Sequence, residues 1–154
     1  VTQQLPEKDR YLYSRDYLLD RMAVMMGGRA AEELALNTMT SGAANDLKQA
    51  TYLARKMVLD WGMSERLGHV ALGGESDQVF LGDEMFQKRE FSETTAREID
   101  EEVRLILEEA YQRATQILKD HSAGMQRVVA ALIEHEQIMG NELIDLLGLE
   151  KAAE

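Results

Sequence analysis

Two carboxylates stand where neighbouring residues could hold them still. Asp46 follows the stretch Thr40-Ser41-Gly42-Ala43-Ala44-Asn45 and opens an apolar-periodic segment, three residues before Gln49. A carboxylate in that position has two uses. It can cap the helix, accepting from free N–H groups at the positive end of the dipole, with Gln49 as a capping-box partner. It can also give a hard, anionic oxygen to a metal ion such as zinc. Spacing alone favours the cap. Glu32 lies just after the pair Gly27-Gly28 and, taken alone, reads as a solvent-facing helical glutamate.

Other chemistries fail on residue type or spacing. His69, His121 and His135 lie in three separate segments, and no serine stands in a Gly-x-Ser-x-Gly elbow, so no nucleophilic triad can be nominated. Gly62 and Gly68 are not followed by Lys-Ser/Thr, which removes a Walker-type phosphate loop. A helical His-Glu-x-x-His would set two imidazoles one turn apart on one face. His135-Glu136-Gln137-Ile138-Met139 begins that way but ends on a thioether, a poor zinc ligand, so His135 reads as a surface residue at a helix end. Glu-x-x-His does not occur, which excludes a carboxylate-bridged di-iron bundle. No residue of this chain is nominated as catalytic.

The elements that must position the two carboxylates are helical. Ser14 can cap a first helix whose inward stripe is Leu18, Met22, Met25, Ala30 and Leu34, spaced by three, four or their multiples. Gly27-Gly28 interrupts it at a cost of about 1 kcal/mol per glycine, which calls for a close neighbour, in the simplest case another helix. After a loop over residues 37–44, a second helix carries Leu47, Ala50, Ala54, Met57, Val58 and Trp61, and Gly62 is placed to end it. Residues 62–91 hold five glycines and no sustained helical period; Val70-Ala71-Leu72 and Val79-Phe80-Leu81 could be short strands.

Ser92 then begins the longest helix, with Ala96, Ile99, Val103, Ile106, Ala110, Ile117 and Leu118 inward, reaching about Lys119. A fourth helix, capped by Ser122, turns Met125, Val128, Val129, Leu132 and Ile133 inward, and a short last one carries Leu143, Ile144, Leu146 and Leu147. The predicted architecture is mainly α: two helices over residues 1–61, an irregular connection over 62–91, and an acidic helical region over 92–154. That last region is an antiparallel helix pair closed by a terminal helix. The acidic face holding Glu101, Glu102, Glu108 and Glu109 reads as solvated.

Composition agrees with one folded domain. The 154 residues are 45% hydrophobic, enough to bury a core and too apolar for a disordered tail. Residues 1–61 hold eight acidic and eight basic side chains, whereas residues 62–154 hold 20 acidic and nine basic, which is the whole net charge of −11. Such a surface repels phosphate backbones, so nucleic acid is not an expected partner. There is no cysteine, hence no disulfide and no thiolate ligand. The longest aliphatic run, residues 128–133, is far short of the roughly 20 residues that span a bilayer. The start, Val1-Thr2-Gln3-Gln4, is neither Met nor a signal peptide, and the chain reads as part of a longer one.

Several motifs in order carry a resemblance. Leu19-Asp20-Arg21-Met22-Ala23-Val24-Met25-Met26-Gly27-Gly28-Arg29-Ala30-Ala31-Glu32-Glu33-Leu34 and the stretch from Thr40 to Thr51 are the core of it. Ala54-Arg55-Lys56-Met57-Val58, Trp61-Gly62-Met63-Ser64, Phe80-Leu81-Gly82 and the run from Ser92 to Val103 extend it. Over about residues 5–147 the chain resembles the C-terminal portion of the peptidase domain of FtsH-type ATP-dependent zinc metalloproteases. The resemblance implies membrane-anchored hexamers in which an ATPase ring unfolds protein substrates and passes them to a zinc site. It implies a ligand set of two histidines from a His-Glu-x-x-His helix plus an aspartate, here Asp46. Glu32 corresponds to a glutamate near the metal that does not bind it directly.

The histidine pair, the catalytic glutamate, the ATPase module and the membrane segments would all precede Val1, so zinc has an incomplete ligand set here and ATP belongs to the parent protein. Gly27-Gly28 would then let a helix backbone lie close to the metal-binding helix. The domain is expected on the cytoplasmic side of the membrane, or the matrix or stromal side in an organelle. The 154 residues alone are expected to be inactive. The rival reading is a non-catalytic acidic helical module for oligomerisation or partner docking, as an inactive relative would be.

Overall fold

Ser14 fixes where the helical structure starts. In the computed structural model, which describes residues 12–73 and 91–149, its hydroxyl accepts from the Tyr17 N–H at 3.3 Å. Helix α1 then runs Arg15–Leu36 and ends on Asn37 in the left-handed region, φ 48°, a conformation that asparagine tolerates better than most residues. A single 3-10 turn, Ser41–Ala43, leads directly into α2, Ala44–Leu59. Gly62 adopts φ +59° just beyond α2, and Met63 N–H returns to the Met57 carbonyl at 2.9 Å, so the predicted glycine stop is present. Helix α3, Glu93–Asp120, begins on Ser92, whose hydroxyl accepts from Thr95 N–H. Helices α4, Ser122–His135, and α5, Gly140–Leu147, complete the described residues.

The core lies where α1, α2 and α3 meet. Leu18, Leu19, Met22, Ala23, Met26 and Ala30 of α1 pack with Ala50, Ala54, Met57 and Val58 of α2 and with Ile99, Val103, Ile106, Ala110 and Ala114 of α3. Alanine faces the centre from all three helices, which lets their backbones approach closely. The principal partner of α3 is α1, with α2 second. The antiparallel pair at the C-terminal end is α4 with α5: Gly124 near the start of α4 lies against Leu147 at the end of α5, and Arg127 Nε donates to the Leu146 carbonyl at 2.8 Å.

The acidic edge of α3 is anchored, not merely solvated. Ser64, buried in the loop after α2, donates to Glu102 at 2.7 Å and accepts from Leu67 N–H. Arg66 pairs with Glu101 at 2.7 Å and Arg55 with Asp100 at 3.2 Å.

Several sequence-based expectations differ from the structure. Leu34, Leu47 and Trp61, placed inward by periodicity, are exposed; Leu34 lies in the last turn of α1, Leu47 in the first turn of α2 and Trp61 just beyond its end. Ile117 of α3 and Val129, Leu132 and Ile133 of α4 are exposed as well, since α4 meets only the end of α3 and packs mainly on α5. Ser122 is the first residue of α4 and makes no capping bond; His121 holds the cap position. Val70-Ala71-Leu72 is not a strand; Leu72 and Gly73 N–H groups instead bond the Leu59 carbonyl. Val79-Phe80-Leu81 lies outside the described residues. No helix among the described residues is long and apolar enough to cross a membrane.

Candidate metal centre

Asp46 occupies the third position of α2, in its first turn. The cap position falls on Ala43, which makes no side-chain capping bond, so the cap suggested by spacing is not formed. The helix begins three residues earlier than that reading required, because the preceding 3-10 turn runs straight into it. Asp46 is half-buried, and its carboxylate has no hydrogen-bond or ion-pair partner among the described residues. An anionic group held in the first turn of a helix is stabilised by the N-terminal dipole. It keeps all its oxygen lone pairs available.

Glu32 is not a solvent-facing bystander. Its Oε1 accepts from the Thr40 hydroxyl at 2.6 Å and its Oε2 from the Thr40 N–H at 3.1 Å. These bonds, with the nearby Arg29 guanidinium 4.0 Å away, hold the carboxyl below its ordinary pKa of 4.5, the Thr40 hydroxyl contributing most. Arg29 also donates to the Thr40 carbonyl at 3.4 Å and contacts the Met39 sulfur. The neighbouring Glu33 accepts from the Tyr111 hydroxyl of α3, a contact that raises the tyrosine pKa above its ordinary 10.0. Glu32 and Glu33 thus tie the end of α1 to two places at once, the loop that leads to Asp46 and the long helix α3.

Between them α1 and α2 leave an open cleft of about 300 Å3, lined by Arg21 and Met25 from α1 and Lys48, Gln49, Tyr52 and Leu53 from α2. Arg21, Met25, Gly28 and Glu32 recur every three or four residues, so one stripe of α1 leads from the cleft to the Glu32 contact. Nothing described lies within 4 Å of a Cβ built at Gly27 or Gly28. The close helical neighbour suggested for this pair is therefore not found among the described residues.

Sequence reasoning singled out Asp46 and Glu32 but missed Thr40 and Arg29, which tie Glu32 to the loop that precedes α2. Thr40 lies outside any periodic stripe, so the only local signal was a threonine two residues before a glycine. The histidines remain apart. His69 lies in the loop after α2, His121 ends α3, and α4 stops at His135 with Glu136 at φ 61°, so His135 and Met139 share no helix. Among the described residues no three His, Asp or Glu side chains converge as a metal-binding group. Asp46 is one of several carboxylates without a partner among the described residues, and a single such group has the chemistry for one oxygen position of a zinc site, not for a whole one.

The motif order, and the free carboxylate that follows the Glu32–Thr40 contact, can be set against known proteins. The profile of peptidase family M41 matches residues 1–146. The chain belongs to peptidase family M41. It is 56% identical over 147 residues to "ATP-dependent zinc metalloprotease FtsH 2" of Salinibacter ruber, covering 96% of this chain and 22% of that protein. It is 50% identical over 143 residues to "ATP-dependent zinc metalloprotease FtsH" of Acidobacterium capsulatum, covering 93% of this chain and 22% of that one. To the protein of the same name from Thermotoga maritima it is 47% identical over 149 residues, covering 97% and 24%. The chain spans less than a quarter of the length of these M41 relatives.

Proposed function

We propose that this chain is the C-terminal part of an M41 peptidase domain and gives Asp46 to the zinc site of an ATP-dependent metalloendopeptidase. The observation that carries the reading is the state of Asp46: an ionisable carboxylate fixed in the first turn of a helix, half-buried, with no partner among the described residues. In this reading zinc, when bound, supplies Lewis acidity that polarises the scissile carbonyl and lowers the pKa of its water. Asp46 contributes negative charge and a fixed oxygen, Glu32 holds the loop before it, and the α1–α2 pair forms the wall behind.

The two histidines and the general base come from a His-Glu-x-x-His helix elsewhere in the parent protein. The open stripe Arg21, Met25, Gly28 and Glu32, beside Gln49 and Leu53 of α2, is where that helix would lie. Bare glycine backbone at that stripe allows a close approach. The parent acts on unfolded or membrane proteins as an ATP-driven homo-hexamer, anchored by segments outside this chain. Its peptidase domain lies on the cytoplasmic side of the membrane, or the organellar matrix or stromal side. One carboxylate cannot hold zinc well alone, so the isolated 154 residues have no turnover.

The test is Asp46→Ala in the full-length protein. Proteolysis and bound zinc should be lost while ATP hydrolysis survives. Proteolysis at the parent rate would remove Asp46 from the ligand set. Absence of bound zinc from the parent protein together with specific self-association would favour the docking-module alternative.

A further inference from the structure

Thr40 has every polar atom engaged although it is an exposed loop residue. Its hydroxyl donates to Glu32 Oε1 at 2.6 Å and accepts from Gly42 N–H at 3.0 Å. Its N–H donates to Glu32 Oε2 at 3.1 Å, and its carbonyl accepts from Arg29 at 3.4 Å. Both Glu32 and Arg29 belong to α1. A single threonine therefore fixes the chain leaving it to a helix of the core.

What leaves Thr40 is stiff. The 3-10 turn Ser41–Ala43 and the first turn of α2 follow without a break, Ala43 is buried at 4% exposure, and Ala44 already has helical dihedrals. No freely rotating residue lies between Thr40 and Asp46. A displacement at Thr40 is therefore passed to the backbone that carries Asp46 instead of being absorbed on the way. Space at the contact is also full. A Cβ at Gly42 would lie 3.1 Å from Thr40 Oγ1 and 3.2 Å from Glu32 Oε1, so a side chain there would push on the two atoms that make the clamp.

We infer that Thr40 is a positioning residue: with Glu32 and Arg29 it clamps the α1–α2 connection so that Asp46 is held in place for zinc. The inference rests on the reading of Asp46 as a ligand. Groups that orient metal ligands typically account for about 10- to 100-fold in metal affinity, and sites must be held within about 0.5 Å of their working geometry. Loss of the Thr40 hydroxyl is expected to fall in that range.

The experiment uses the full-length protein with Thr40→Val, Thr40→Ser, Gly42→Ala and Asp46→Ala. Zinc affinity is measured by chelator competition, and amide exchange at Gly42 is followed on the metal-free protein. Thr40→Val should weaken zinc about 10- to 100-fold and speed exchange at Gly42, while ATP hydrolysis stays at the parent rate. Thr40→Ser restores the hydroxyl and should return both readouts close to the parent values. Parent-like zinc affinity in Thr40→Val, with Asp46→Ala impaired, overturns the clamp and leaves the ligand reading standing. Equal defects in the serine and valine variants also overturn it. Parent-like affinity in Asp46→Ala removes the ligand reading and the clamp's purpose with it. Should Thr40→Val lose ATP hydrolysis through misfolding, Gly42→Ala decides: the hydroxyl is intact there, and a smaller loss of zinc affinity in the same direction is expected, whereas no loss overturns the proposal.

Discussion

Glu32 shows how much a single side chain's role depends on what folds against it. On the helix alone it is one more charged residue, and only the return of the chain at Thr40 gives it two donors. Those donors favour the ionised form, so its folded pKa is depressed below 4.5. A depressed carboxylate stabilises the folded state at pH values above its unfolded pKa, and that contribution fades as pH falls through the lower folded value. Amide protection at Thr40 and Gly42 should therefore hold from neutral pH down to about 4.5 and decay only below it. Hydrogen exchange across an acid series would check this, and protection lost well above the ordinary carboxylate range would contradict it. Asp46 carries the complementary lesson. Capping-box spacing is a property of sequence, whereas the true start of α2 was set by the 3-10 turn before it.

At the scale of elements, caps and glycine stops were readable because they are local. Ser14, Ser92 and Gly62 act within a few residues of themselves, so no distant contact could redirect them. Gly124 is different. A Cβ there would come within 3.0 Å of the Leu147 Cα and 3.2 Å of its carbonyl oxygen, and backbone cannot yield as a flexible side chain does. Gly124→Ala should gain up to about 1 kcal/mol in helix propensity yet lose about 1–3 kcal/mol through overpacking. The expected outcome is α5 prised from α4: exchange protection across α5 falls while that of α3 is unchanged. Unchanged protection in α5 would mean the pair relaxes without cost. The amphipathic pattern of α4 was legible, but its stripe includes Ile133 at 79% exposure, because periodicity marks an apolar face without saying that anything covers it.

For the whole molecule, the three-helix core is what the rest hangs on. Met22 is fully buried at the meeting of α1, α2 and α3, whereas Ile133 lies on the open side of α4. Met22→Ala should cost about 2–5 kcal/mol, and Ile133→Ala no more than about 0.5 kcal/mol, compared by chemical denaturation of this chain. Similar costs for the two would show that the exposed face of α4 is buried by association in solution. Helix α3 unites the molecule: it supplies the third wall of the core and meets the α1 end near the candidate site through Tyr111 and Glu33.

The sequence by itself determined the helical class, the helix starts at Ser14 and Ser92, the stop at Gly62, most of the core stripe and, through its motifs, the family. These follow from backbone hydrogen bonding, apolar periodicity and residue order, all of which act along the chain. Tertiary structure alone decided that α3 packs on α1, that α4 pairs with α5, and that Asp46 is left free while Glu32 is engaged by Thr40. Those outcomes depend on which surfaces meet across tens of residues, and a one-dimensional pattern does not specify the meeting.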